Sequence, residues 1–181
     1  MIELLLQAAE AALQAGMTSV MPAGAVAKNY VGIQPQCRPP RTVGEWYVSL
    51  DDGGVSCNSK PHLQEEYTLD VCVTVNSGYV ARDRSKDVYQ AATKSLSVIE
   101  RAVIRLLHNV HTIRTAANTL GNLPHASYGD AFQQPLWYRG RGPTRFEDGT
   151  WNGCEPDAFA FAVRDLRFTG GLRTQANDIQ H

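Results

Sequence analysis

Between Leu96 and Leu120 the apolar residues Leu96, Ile99, Val103, Leu106, Val110, Ile113, Ala117 and Leu120 recur in steps of three and four. That spacing places them on one stripe of an α-helix, about 37 Å long at 1.5 Å rise per residue. The opposite face carries Arg101, Arg105, His108 and His111, so one side demands a core and the other demands water or a partner. Upstream the period changes to two. Tyr67, Leu69, Val71, Val73 and Val75 alternate with Thr68, Asp70, Cys72, Thr74 and Asn76, which predicts a strand with one buried face. A long helix laid across a sheet is the architecture these stretches imply.

The remaining pattern adds elements around that pair. Ile2, Leu5, Leu6, Ala9 and Leu13 recur at helical spacing and predict an amphipathic first helix ending near Gly16. Met17 to Val31 is small and mixed, with room for a short strand around Ser19–Met21. Gln34 to Arg41 holds three prolines together with Arg38 and Arg41, and the residues before proline are pushed extended, so this segment reads as an arm. Val43 to Leu50 predicts a strand facing inward through Trp46, Val48 and Leu50, antiparallel to the 65–76 strand. Asp51-Asp52-Gly53-Gly54 reads as a turn and Val55 to Cys57 as a short return.

Asp83 is placed to cap a helix running to Thr93, and Ser97-x-x-Glu100 matches a capping box. Two helices with a tight break near Ser95–Ser97 are therefore predicted, the second ending at Gly121. Leu123 to Pro156 reads as one long irregular segment, rich in Gly, Pro and aromatic residues. Phe159, Phe161 and Val163 alternate with alanines in a closing strand, Asp157–Phe168, with a change of register near Asp165. A polar tail follows from Gly170. The sum is a single α+β domain with a mainly antiparallel sheet, two arms at 34–41 and 123–156, and that tail.

Composition narrows the role. A chain of 181 residues buries about 70% of the surface exposed when unfolded, enough for its own core. A net charge of −1 provides no long-range field for nucleic acid or an anionic membrane. Yet 13 of the 17 basic residues are arginine, the type favoured in bidentate contacts and at protein interfaces. The four cysteines, Cys37, Cys57, Cys72 and Cys154, form no C-x-x-C pair and read as free thiols of a reducing cytoplasm. No run approaches the ~20 apolar residues of a membrane span.

Catalytic signatures are sparse. His108-x-x-His111 is a metal pair in spacing, but zinc needs a third protein ligand and none shares that face. Gly140-x-Gly142 with Arg139, Arg141 and Arg145 forms a basic glycine-containing loop that opens no helix, which favours contact with an acidic neighbour over phosphate cradling. Asp51-Asp52 and Glu65-Glu66 are adjacent pairs whose members point to opposite sides of a strand. Cys72 has no local base. No cofactor or metal is expected. A small enzyme using 123–156 as a lid, with His125 or Asp130 at a pocket, is one competing class, and a monomeric adaptor is another.

Several of these residues carry a resemblance. Gly44-Glu45-Trp46-Tyr47-Val48-Ser49 precedes Glu66-Tyr67 at the head of Val71-x-Val73-Thr74-Val75. Arg82-Asp83-Arg84 follows, then Ile99-Glu100-Arg101, His108, Ile113-Arg114 and Ala117-Asn118. In order and spacing, this stretch of about Val43–Asn118 resembles the tail-terminator or tail-completion proteins of long-tailed bacteriophages. The resemblance implies a non-enzymatic virion component, assembled in the host cytoplasm. Such a protein forms a hexameric ring on the head-proximal end of the tail tube. It ends tube polymerisation and joins the head-side connector, with DNA passing through the lumen without sequence recognition and no membrane involved. A connector or stopper on the head side of the neck is the alternative within that class. No catalytic residue comes with the resemblance. The expected subunit or partner interface is Arg38, Arg41, Trp137, Tyr138, Arg139, Arg141 and Arg145.

Overall fold

The computed structural model describes residues 2–18, 20, 29–33, 44–58, 64–79, 86–120, 134–148 and 160–172. Arg38, Arg41, His125, Asp130, the Asp83 cap and the Gly121 terminus lie outside them, as does the strand expected at 19–21 except for Val20, which is not in a strand. The fold is α+β: among the described residues, three helices lie against a mixed, mostly antiparallel six-stranded sheet. Among the described residues no helix is long and apolar enough to cross a membrane.

The first helix, α1 (Ile2–Gly16), forms as its periodicity requires and buries Leu4, Leu5, Ala8, Ala9, Ala12 and Leu13. It ends where Gly16 meets the tip of the Leu106 side chain, which would have to shift to admit a Cβ. The sheet contains β1 (Asn29–Ile33), β2 (Trp46–Asn58), β3 (Gln64–Tyr79), β4 (Trp137–Arg141), β5 (Arg145–Asp148) and β6 (Ala160–Leu172). Its order is β1-β2-β3-β6-β4, and β5 also pairs with β6. Among the described residues only β1, against β2, is parallel.

The β2–β3 pairing is the expected antiparallel one, with Val48 opposite Val73 and Leu50 opposite Val71. The turn expected at Asp51–Gly54 is absent. Strand β2 runs through it with a bulge between Asp52 and Gly54, and Gly54 takes φ +103°. Glycine tolerates that angle equally in a turn or a bulge, and the long partner β3 decides between them.

On β6 the register against β3 is unbroken from Leu172 to Phe161, so no change occurs at Asp165. Ala162, Arg164, Leu166 and Phe168 pair with the inward residues Val75, Val73, Val71 and Leu69. Phe161 and Val163 therefore point to the other face, where they are also buried. The strand also extends to Leu172, past the start of the expected tail. Within the expected 123–156 loop, Trp137–Arg141 and Arg145–Asp148 are strands, because β6 provides a free edge for these β-favouring residues.

The helices break in a different place from the one predicted. Helix α2 (Lys86–Leu107) is continuous through Ser95–Ser97, and α3 (Val110–Thr119) begins after His108-Asn109. The Ser97 hydroxyl donates back to the Thr93 carbonyl at 2.9 Å instead of capping, a bond that helices tolerate. The cap is Asn109, whose side chain accepts from the amides of His111 and Thr112 at 3.0 and 3.4 Å. His108 and His111 thus flank the break instead of sharing one helix face. Leu96, Ile99, Val103, Leu107 and Ile113 fill the core together with Leu5, Leu13, Trp46, Leu50, Leu69 and Phe168.

Candidate functional site

Trp137, Tyr138, Arg139, Arg141 and Arg145 come together on the β4–β5 ribbon at one edge of the sheet. The ribbon is tied to the end of α2 through the Leu136 amide, which donates to the Leu107 carbonyl at 3.3 Å. Trp137 is 46% exposed and meets the His108 ring edge-on at 5.1 Å. Tyr138 turns inward onto Phe168, at 5.5 Å between rings, and its hydroxyl donates to Glu100 Oε1 at 3.3 Å. Partial burial, then the neighbouring Glu100 charge, pushes the Tyr138 phenol above its ordinary pKa.

Gly140, at φ +140°, forms a bulge that changes the direction of the two flanking arginines. In a regular strand Arg139 and Arg141 would share a face. Here Arg139 stays on the outer face, donating to Thr169 Oγ1 at 2.5 Å and Glu66 Oε1 at 3.1 Å. Arg141 reaches inward to Glu100 Oε2 at 3.0 Å. Arg145 pairs with Asp165 and with Glu147, which raises its pKa further. All three guanidinium groups are engaged within the chain while remaining about half exposed.

Glu100 is the hub beneath the ribbon. It accepts from Tyr138, Arg141 and Arg164, and the Arg164 side chain is only 3% exposed. Arg164 also donates to Ser97 Oγ at 3.3 Å and Thr144 Oγ1 at 2.8 Å, leaving its Nε without a partner. One buried carboxylate therefore links helix α2, strand β6 and strand β4. The apolar pattern along the chain does not reveal this hub. Its signal was Arg164 falling in the inward register of Ala162, Leu166 and Phe168, where an arginine requires a buried partner.

The outer face of the sheet carries an open cleft of about 550 Å³, lined by Ser49, Asp51, Asp70, Cys72, Asp165 and Arg167 among others. Arg167 binds Asp70 directly across the strands through two bonds, at 2.7 and 2.9 Å. Burial pushes the Cys72 thiol up to about 11, so at neutral pH it is protonated and a poor nucleophile. Among the described residues no three His, Cys, Asp or Glu side chains are placed to hold a metal ion. Glu66, Asp51 and Asp52 are described, whereas the Glu65 side chain is not.

No protein-family model matches this chain. No curated protein matches it. Among solved structures, a chain in the virion of a native gene transfer agent (GTA) particle is similar, with a TM-score of 0.44 and 15% identity over 92% of this chain and 94% of that one.

Proposed function

We propose that this chain is a structural protein of a phage-like virion. More specifically, it forms a homo-hexameric ring on the head-proximal end of the tail tube, stops tube growth and joins the head-side connector. The sequence resemblance over Val43–Asn118 supports this role, and one structural observation carries the ring. Among the described residues, the sheet ends in β1 at one edge and in β4 at the other. Two unlike edges on opposite sides of a subunit are what a heterologous contact uses, and such contacts close into rings when the rotation allows.

The ribbon provides an anchor for that contact. Trp137 is a large, exposed aromatic on a strand bonded to Glu100 through Tyr138 and Arg141, and aromatic and arginine residues are enriched at interface centres. Arg139, Arg141 and Arg145 hold the ribbon through ion pairs and still present about half of each side chain outward, and the proposed interface includes Arg38 and Arg41 from the sequence reading alone.

Tail-tube protein polymerised with and without this chain tests the role. Tubes of limited length, capped at one end, are expected when the chain is present. Unlimited tubes with the chain bound only to connector protein would assign it to the head side of the neck. Unlimited tubes with no binding to either would end the reading.

A further inference from the structure

The polar face of α1 is acidic, and that of α2 from Lys94 onward is basic, with Asp87 the acid of the first α2 turn. Along α1, Glu3, Gln7, Glu10 and Gln14 form one stripe, and the helix contains no basic residue. Along α2, Lys94, Arg101, Arg105 and the adjoining His108 form another, with Val98 exposed among them. The acid embedded in that part of α2, Glu100, points the other way and spends its charge on Arg164 and Arg141.

Neither stripe is neutralised within the chain. Among the described residues Glu3 and Glu10 accept only from Gln7 and Gln14 of their own helix, and Lys94, Arg101 and Arg105 form no ion pair. The helices lie over different parts of the sheet, α1 over β1 and β2, α2 over β3 and β6.

The spacings match. Glu3 and Glu10 are seven residues apart, as are Lys94 and Arg101, and again Arg101 and His108. Each separation is two helical turns, about 10.5 Å at 1.5 Å per residue. Half-buried Ala11 follows Glu10 on α1 and Val98 is exposed within the basic stripe of α2, so each charged row has an apolar residue beside it.

We infer that the acidic face of α1 in one copy docks on the basic face of α2 in the next copy. This inference rests on the ring reading and names the helix-layer contact that closes the ring. Exposed charge pairs contribute more to orientation and specificity than to affinity. Their role here is to select the α1-to-α2 contact over α2-to-α2, where like charges repel. That choice makes the contact heterologous.

Two charge reversals in the full chain test it: Arg101→Glu with Arg105→Glu, and Glu3→Arg with Glu10→Arg. All four positions are on the surface or half-exposed, and circular dichroism with thermal melts checks that each variant folds. Mass is then measured across concentration, with and without tail-tube ends. Each variant alone is expected to need at least tenfold more protein than the parent to assemble. An equal mixture restores rings, since every contact again joins opposite charges, and those rings hold an even number of subunits in alternation.

If either folded variant alone assembles like the parent, the docking is wrong while the ring stands. If the parent forms no ring under either condition, the ring reading fails and the docking with it. If the α2 variant assembles like the parent but loses retention of a short DNA duplex at low salt, the basic stripe is a phosphate surface, and the inference is overturned.

Discussion

Arg164 on β6 donates to Glu100 on α2 at 2.5 Å, within the helix–sheet interface. Breaking such a pair leaves a buried charge without compensation, whereas replacing both partners by apolar groups removes the desolvation cost as well. Glu100→Ala is expected to lower stability by about 3–5 kcal/mol in urea unfolding. Glu100→Leu with Arg164→Met is expected to stay within about 1 kcal/mol of the parent or exceed it. If the double variant is as unstable as the single one, the pair is not the source of the loss.

The β4 bulge depends on Gly140. A Cβ there meets open space, so the cost of a side chain is conformational, not steric crowding. Gly140→Ala is expected to destabilise by about 1–3 kcal/mol, the range for a non-glycine residue at such an angle. Because the bulge directs Arg139 outward and Arg141 inward, hydrogen exchange should rise selectively in the 137–141 strand. A uniform rise across the sheet would argue against a local role.

The α2–α3 break rests on the Asn109 cap. Asn109→Ala is expected to cost about 1 kcal/mol, typical of losing an N-cap. The His111 and Thr112 amides, which it satisfies, should exchange first. Unchanged protection of both amides would place the cap elsewhere.

Cys72 is expected to alkylate slowly in the folded protein near neutral pH and rapidly after unfolding, as followed by mass spectrometry of its peptide. Its thiol pKa is raised from 9.0 to about 11, so the unfolded chain loses that proton first as pH rises. The stability this group contributes is therefore complete below pH 9.0 and declines as pH climbs through about 11. Cys72→Ser should flatten that part of the stability profile. A decline of the same size in the variant would assign it to other groups.

Elements that bury one face by simple periodicity were legible in the sequence: α1, β3, the apolar stripe of α2 and α3, and the antiparallel β2–β3 pairing. Features decided by a distant partner were not. The Asp-Asp-Gly-Gly run suits a turn as well as a bulge, and only the length of β3 makes it a bulge. Ser97 and Glu100 have the spacing of a capping box, yet Glu100 is claimed by Arg164, 64 positions away. Strands β4 and β5 carry little apolar alternation because they pair at an edge of the sheet, and Trp137, Arg139 and Arg141 remain largely exposed there. The ribbon residues were legible as a group by composition, whereas the carboxylate beneath them was hidden by its place in a helical stripe.

The ring itself is tested most directly by the mass of the purified chain across a concentration series, imaged with and without tail tubes. Closed rings near six subunits, seated on one end of each tube, are the predicted result. A chain that stays monomeric at every concentration and leaves tube ends bare would contradict it.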